Sequence, residues 1–171
     1  KPTELIETGT YLGNTLEFLS KFGIKTHSIE INPEFYFISK SRFVDNNNVI
    51  LYCDNSLKVL PKIISKENPT FIYLDSHWYE NLPLEEELEI INSINDVIVL
   101  IDDFKIPGNA DWKFDKYNQI ELSLEDINIP TNYSIYFPEY KPNEDGGFKS
   151  GCVFLSKGEK ANSVLNNIEL I

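Results

Sequence analysis

Four side chains in two short segments are of types that could bind a metal ion or move a proton. Asp75 and His77 lie in the segment YLDSHW, and Asp102 and Asp103 lie in VLIDDF. Like charges at close range are costly unless one is protonated or a cation lies among them. Carboxylate oxygens suit Mg²⁺, Ca²⁺ or Mn²⁺, and an imidazole with an ordinary pKa of about 6.5 suits a general base. The two segments therefore predict a metal site at Asp75, Asp102 and Asp103, with His77 beside it.

A second candidate site lies near the start of the chain, in the segment LIETGTYLGNTLEFL. An apolar run leads to Gly9 and Gly13 and then to helical spacing, which indicates a strand, a tight turn and the N-terminus of a helix. The dinucleotide fingerprint G-x-G-x-x-G would need a middle glycine, and its absence counts against NAD. Glu7 would repel a pyrophosphate but would favour a cationic ligand.

Two more acidic residues follow apolar runs, namely Glu30 in THSIEI and Asp54 after NVILYC. Open α/β sheets bind ligands at the carboxyl ends of their strands, so acidic residues at several strand ends favour a ligand site. Each feature alone also has a plainer interpretation. The glycines can form a simple tight turn, Glu30 can be a surface carboxylate, and Asp103 can cap the following loop. His77 can hydrogen-bond a backbone carbonyl without a chemical role.

The elements that must position these residues alternate along the chain. Apolar runs predict strands over 5–8, 26–31, 48–53, 70–75 and 96–102. Helical spacing lies between them, over 14–22, 33–43, 56–65 and 82–94. Such alternation is typical of a parallel sheet with helices on both faces. Its adjacent strand ends would bring the three aspartates to one rim.

The pattern changes after Phe104. We predict a loop, a helix around 116–127, and a long hairpin formed by 133–140 and 152–156 with a glycine-rich connection. Aromatic residues in the loop are expected either to line a substrate pocket or to form a small core there; they are Phe104, Trp112, Phe114 and Tyr117. The acidic run 85–87 predicts a solvated helix start.

The glycine segment resembles a known family. Glu7-x-Gly9-x-x-x-Gly13 is similar to motif I of the class I S-adenosylmethionine-dependent methyltransferases. The resemblance covers nearly the whole chain. It implies a single α/β domain over 1–171, with a Rossmann-like sheet of strand order 3-2-1-4-5-7-6, helices on both faces and an antiparallel closing hairpin. It also implies S-adenosylmethionine as the cofactor, with Glu30 on the ribose hydroxyls and Asp54 near the adenine. The cofactor-binding candidates are Glu7, Gly9, Thr10, Gly13, Glu30, Asp54, Asn55 and Asp75.

The aspartates resemble those of the metal-dependent O-methyltransferases of the catechol and macrolide-sugar types. Those enzymes place Asp after strand four and Asp-Asp or Asp-Asn after strand five. The catechol type reads Asp-His-Trp-Lys, with the lysine as base, whereas this chain reads Asp75-Ser76-His77-Trp78-Tyr79. It has one extra residue and no lysine, so His77 is the available base. The resemblance implies methylation of a small-molecule hydroxyl with Mg²⁺ or another divalent cation.

Composition limits the alternatives. The 171 residues suit one domain, and the net charge of −12 argues against a broad nucleic-acid surface. We read Cys53 and Cys152 as small core residues in a reducing, cytoplasmic compartment. The sequence has no membrane-spanning run. It begins at Lys1 and has no methionine, so we expect a trimmed N-terminus. A nucleotide-sugar or NAD enzyme on a Rossmann core, and a non-catalytic binding domain, remain alternatives, and the oligomeric state is open.

Overall fold

The computed structural model of the protein describes residues 1–77, 82–139 and 149–167. The elements in these residues are β1 Glu4–Thr8, α1 Asn14–Ser20, β2 Lys25–Glu30, α2 Pro33–Arg42, β3 Val49–Cys53, α3 Ser56–Ile63, β4 Thr70–Leu74, α4 Leu84–Ile91, β5 Val97–Ile101, β6 Lys116–Tyr117, β7 Ile120–Glu121, β8 Ser134–Tyr136, β9 Val153–Lys157 and α5 Glu159–Leu165. None of the helices in the described part of the chain is long and apolar enough to cross a membrane.

Seven strands form one sheet in the order β3-β2-β1-β4-β5-β9-β8. The first five strands are parallel to one another, whereas β9 is antiparallel to both β5 and β8. The predicted order is therefore confirmed, with β8 and β9 as the sixth and seventh strands of the sheet. Since β1 lies between β2 and β4, the ends of β1, β2, β4 and β5 meet along one edge.

The core forms where one face of this sheet meets α3 and α4. Ile6, Ile72 and Val99 are neighbours in register on β1, β4 and β5, and all three are fully buried. They belong to one apolar cluster with Leu60 of α3 and Leu88 of α4. Continuous apolar runs are expected of parallel strands, because helices cover them. This packing fixes the ends of β4 and β5, which carry the candidate metal residues.

Two asparagines cap the helices α2 and α3 where these begin. The side chain of Asn32 accepts a hydrogen bond from the amide of Glu34 (2.8 Å), and Pro33 is the first residue of α2. The side chain of Asn55 accepts one from the amide of Leu57 (2.8 Å) at the start of α3. Asparagine caps the free amides of a first helical turn, and proline suits the first helical position.

The helix predicted around 116–127 is wrong. Residues 116–121 form the two-stranded sheet β6-β7, in which Tyr117 pairs with Ile120 across a two-residue turn. Asn118 adopts a positive φ of 57° in this turn, a conformation that asparagine tolerates and that tight hairpins need. The amide of Leu122 donates to the carbonyl of Asp115 (3.0 Å), which closes the small hairpin.

Two other expectations are wrong, namely the core position of Cys53 and the solvated position of Glu87, and one helix was not predicted. Helix α5 lies in a segment for which no element was predicted, and the carboxylate of Asp96 caps its first turn by accepting from the amides of Lys160 (3.0 Å) and Ala161 (3.1 Å). Cys53 is exposed because it ends β3 at the edge of the sheet, whereas Cys152 is buried; the two cysteines do not form a disulfide. Glu87 is buried rather than solvated.

Some sequence features fall on residues that lie outside the described ones. They are Trp78 and Tyr79, which follow His77, and most of the glycine-rich connection between β8 and β9, over 140–148.

Candidate functional site

The glycine turn after β1 brings two strand ends into contact. Gly9 has a φ of +84°, and a Cβ placed on it would lie 1.9 Å from the backbone oxygen of Asp75. Its amide donates to the carbonyl of Ile29 on β2 (2.9 Å). Only glycine fits this conformation and this approach. Gly13, with a φ of +79°, directly precedes α1, and its amide donates to the carbonyl of Thr10 (2.8 Å).

A cavity of about 630 Å³ opens at this edge of the sheet. It runs from the glycine turn to the ends of β4 and β5 and reaches the β6-β7 hairpin. Seven of the residues predicted for the site line it; they are Gly9, Glu30, Asp54, Asn55, Asp75, His77 and Asp103. Glu7, Thr10, Gly13 and Asp102 are not among its described lining residues. The structure thus brings the two candidate sites together in one cavity.

Glu30 is a carboxylate that the backbone already holds in place. Its two oxygens accept hydrogen bonds from the amides of Tyr11 and Asn32, each at 2.7 Å, and the residue is 5% exposed. A carboxylate has about four lone-pair positions, so two remain for a ligand in the cavity. The side chain is therefore fixed before any ligand arrives.

Glu7 lies behind the turn. It is fully buried, and one of its oxygens accepts from the hydroxyl of Ser28 (2.5 Å), which in turn lies 2.5 Å from the hydroxyl of Thr10. Burial raises the pKa of Glu7 to about 8, while the hydrogen bond from Ser28 opposes that rise. The carboxyl is thus held protonated at neutral pH and supports the turn from within.

Asp54 and Asn55 form the wall beyond β3. The carboxylate of Asp54 accepts from the amide of Asn55 (2.8 Å), and this hydrogen bond lowers the pKa of Asp54. Because the Asn55 side chain caps α3, its position is fixed as well.

Asp75, His77 and Asp103 form a group that could hold a metal ion. One ligand atom from each lies within 4.8 Å of the others. His77 is 3% exposed, its Nε2 lies 3.8 Å from an oxygen of Asp75, and this nitrogen has no hydrogen-bond partner among the described residues. Two carboxylate oxygens and one imidazole nitrogen suit Mn²⁺, Fe²⁺ or Zn²⁺, while the carboxylates alone suit Mg²⁺. The orphaned nitrogen shows that this donor set fits a cation.

Carboxyl groups crowd this end of the cavity, and each opposes the ionisation of the others. Burial, followed by the charges of Asp102 and Asp103, raises the pKa of Asp75 to about 8. Burial and the charges of Asp102 and Asp115 raise the pKa of Asp103 to about 7. Burial lowers the pKa of His77, so its ring is neutral at pH 7 and has a lone pair available.

Asp102 is placed differently from the other two aspartates. Its carboxylate accepts a hydrogen bond from the hydroxyl of Tyr73 on β4, and it lies outside the Asp75–His77–Asp103 group. Asp103 has a positive φ of 51°, and one of its oxygens accepts from the hydroxyl of Ser150. The sharp backbone at Asp103 turns the two neighbouring carboxylates in different directions.

Sequence reasoning missed Asp115. Its amide donates to the carbonyl of Asp103 (2.9 Å), and its side chain lines the cavity. The hydroxyl of Tyr117 lies 2.7 Å from the Asp115 carboxylate and 2.9 Å from the carbonyl of His77. Of the aromatic candidates Tyr117 lines the cavity, whereas Phe104 and Trp112 are buried elsewhere. The only signal for Asp115 was its position in the aromatic segment after the aspartate pair.

Comparison with known proteins supports the fold. No family model and no curated protein matches the sequence. An O-methyltransferase from Bacillus cereus, solved in complex with SAH, superposes with a TM-score of 0.64 at 12% identity, over 92% of this chain and 74% of that chain. A methyltransferase from Geobacter sulfurreducens gives a TM-score of 0.60 at 11% identity, over 93% of this chain and 72% of that one.

The same fold also occurs in a spermidine synthase from Thermotoga maritima. Its TM-score is 0.57 at 17% identity, over 92% of this chain but only 53% of the synthase, so this chain spans about half of that protein. The chain therefore has the Rossmann-like fold of the S-adenosylmethionine-dependent methyltransferases. Because one fold can host several reactions, the reaction must be argued from the site.

Proposed function

We propose that this protein is an S-adenosylmethionine-dependent methyltransferase that methylates a hydroxyl group of a small molecule with the help of a divalent cation. One observation carries the proposal: a single cavity joins the glycine turn to the group formed by Asp75, His77 and Asp103. A cofactor seated on the turn would have its reactive end beside a cation and a neutral imidazole.

The cofactor end uses residues that are already fixed. Glu30 would bind the two ribose hydroxyls with its remaining lone pairs, a charge-assisted arrangement. Asp54 and Asn55, which line the cavity, would meet the adenine, and Gly9 would lie under the methionine part. Glu7, Thr10 and Gly13 would shape the turn from behind.

At the cation end of the cavity, Asp75 and Asp103 would hold the cation. Asp102 would add its charge from behind these two residues, since its carboxylate is engaged with Tyr73. When bound, the cofactor supplies an electrophilic methyl group, and the cation lowers the pKa of the acceptor hydroxyl and orients it.

His77 would take the proton of the acceptor hydroxyl. Its Nε2 has no hydrogen-bond partner in the part of the chain that the structure describes, and its pKa is lowered, so the nitrogen is an available acceptor at neutral pH. The hydroxyl of Tyr117 is within reach of the backbone oxygen of His77 and steadies the segment. If a cation used Nε2 as a ligand, His77 could not act as the base, and the identity of the preferred cation separates these two roles.

Calorimetry with S-adenosylhomocysteine and with NAD, each with EDTA, Mg²⁺ or Mn²⁺, tests the proposal. We expect S-adenosylhomocysteine to bind and NAD not to bind. A preference for Mg²⁺ supports His77 as the base, and a strong preference for Mn²⁺ supports it as a ligand. Binding of NAD alone would favour a dehydrogenase-like or nucleotide-sugar enzyme. Binding of the cofactor product with no cation effect in any methyl-transfer assay would leave a metal-independent enzyme or a non-catalytic binding domain.

A further inference from the structure

We propose that Glu87 of α4 is a positioning residue, which holds the segment 75–77 through Ser76 so that Asp75 and His77 face the cavity. In its link to cation and cofactor binding, this inference rests on the proposed function. The placement of His77 can be measured without it.

Glu87 reaches the back of the cavity from the helix behind it. The hydroxyl of Ser76 donates to an oxygen of Glu87 (2.8 Å), and Glu87 is 1% exposed. Ser76 lines the cavity between the two candidate site residues, and Ser56, the first residue of α3, lines it nearby. A hydrogen bond from Ser56 also favours the charged form of Glu87. One side chain thus connects α4 to two walls of the cavity.

The burial of Glu87 is unfavourable by itself. Its neighbours Leu84, Leu88 and Ile91 are buried apolar residues, while Glu85 and Glu86 on the same turn are exposed. Burial raises the pKa of Glu87 to about 7. A leucine at this position would pack against the apolar cluster without the cost of burying a carboxyl. What the carboxyl adds is an acceptor for the hydroxyls of the cavity wall.

The segment held by Glu87 is also the one against which the glycine turn packs. A Cβ on Gly9 would lie 1.9 Å from the oxygen of Asp75 and 3.1 Å from the Cα of Ser76. The segment is therefore held from the front by the turn and from behind by Glu87. The side chains that flank Ser76 are directed into the cavity, and both belong to the metal group. Loss of the acceptor would free the segment on one side.

The two histidines of the chain provide a direct measurement. NMR spectra of ¹⁵N-labelled imidazoles should show two sets of signals, from His77 and from His27, which lies on β2 with its Nδ1 2.9 Å from the hydroxyl of Tyr52. In Glu87→Ala and in Ser76→Ala we expect the His77 signals to shift or broaden while those of His27 stay in place. Glu87→Gln, which keeps an acceptor oxygen, should restore the wild-type His77 signals.

Titrations with Mn²⁺ and with S-adenosylhomocysteine give the functional readout. Outer partners of metal ligands are typically worth about tenfold or more in metal affinity, so Glu87→Ala and Ser76→Ala should each weaken Mn²⁺ binding about tenfold. Glu87→Gln and the exposed control Glu86→Ala should stay within about twofold of wild type.

Distinct outcomes separate the two proposals. If the wild-type protein binds no cation but the His77 signals follow the expected pattern, the proposed metal function is wrong and the positioning role stands. If Ser76→Ala leaves His77 and Mn²⁺ binding unchanged, the positioning role is wrong, even where Glu87→Ala does not fold. A Glu87→Gln variant that behaves like Glu87→Ala, or equal shifts of His27 and His77, would also overturn it.

Discussion

The two ends of the cavity treat their carboxylates in opposite ways. At the cofactor end, Glu30 has both oxygens on backbone amides at 2.7 Å, and Asp54 accepts from the amide of Asn55. At the metal end, which is the proposed cation end with Asp75, His77 and Asp103, the two aspartates lie close to each other and to other acids, and their pKa values are raised to about 8 and about 7. At one end the carboxylates are hydrogen-bonded by the protein itself, whereas no Lys or Arg is among the described residues that line the cavity at the other.

This difference indicates what each end is built to receive. A carboxylate that is already hydrogen-bonded can bind neutral hydroxyls with little rearrangement, because its orientation is set in advance. A cluster of poorly compensated carboxylates must either hold protons or bind a cation, and a cation is the ligand that lets all of them ionise. The contrast makes specific predictions about stability, which are measurable before any acceptor is known.

The largest expected effect concerns Glu7 at the cofactor end, whose carboxyl is fully buried and has a raised pKa. Its pKa is about 8 in the folded protein against an ordinary value of 4.5. The unfolded chain therefore loses this proton first, and the free energy of unfolding should fall as the pH rises from 4.5 to 8. Over the whole range this contribution is at most about 5 kcal/mol. Glu7→Gln should remove it, so that the variant gains stability relative to wild type over this range.

Urea denaturation at several pH values, with EDTA present, measures this effect. Glu34→Gln is a suitable control, since it removes a carboxyl that is exposed in the first turn of α2. Its stability curve should run parallel to that of wild type. If the stability curve of Glu7→Gln also ran parallel to that of wild type, Glu7 would be ionised in the folded protein. Glu7 would then be no exception among the carboxylates of the cofactor end.

The second prediction concerns the metal end. Asp103→Asn removes one negative charge from the crowded group, so the metal-free protein should become slightly more stable at pH 8. The same change should abolish stabilisation by a cation. For wild type, a cation at a hundred times its dissociation constant should add about 2.7 kcal/mol to the free energy of unfolding. Asp111→Asn, an exposed change in the loop after β5, should keep the full cation effect. Equal stabilisation of Asp103→Asn and wild type by Mn²⁺ would place the cation elsewhere.

The sequence predicted the sheet well because its signals are local. Apolar runs and the glycine turn define β1 to β5, and acidic residues at the ends of parallel strands meet by geometry alone. The sequence did not distinguish Asp102 from Asp103, because their directions depend on the positive φ of Asp103 and on Tyr73, which is 29 positions away in the chain.

The features that the sequence did not predict also depend on contacts between residues that are far apart in the chain. Helix α5 depends on a cap from Asp96, and the β6-β7 hairpin depends on one left-handed asparagine and on contacts of Tyr117 with a segment 40 residues away. The burial of Glu87 among apparently solvated acids depends on the hydroxyl of Ser76. Partners far apart in the chain leave no periodic pattern, so residue types alone could not reveal them.

The smallest predicted effect tests the cofactor end itself. Glu30→Ala should weaken the binding of S-adenosylhomocysteine by about 2 kcal/mol, or about 30-fold, which is typical of hydrogen bonds to a charged group. Calorimetry on Glu30→Ala and on the exposed control Glu34→Ala would measure it. Glu30 also accepts from the amides of Tyr11 and Asn32, so disorder of the turn in Glu30→Ala is a second route to lost affinity. Glu30→Gln separates the two causes, since its amide keeps one acceptor for the turn but loses the charge that strengthens the bonds to the ribose. We expect an intermediate loss for Glu30→Gln with little change in the free energy of unfolding. Unchanged affinity in both variants would show that the ribose does not lie on Glu30, and the cofactor end would then have to be sought elsewhere in the cavity.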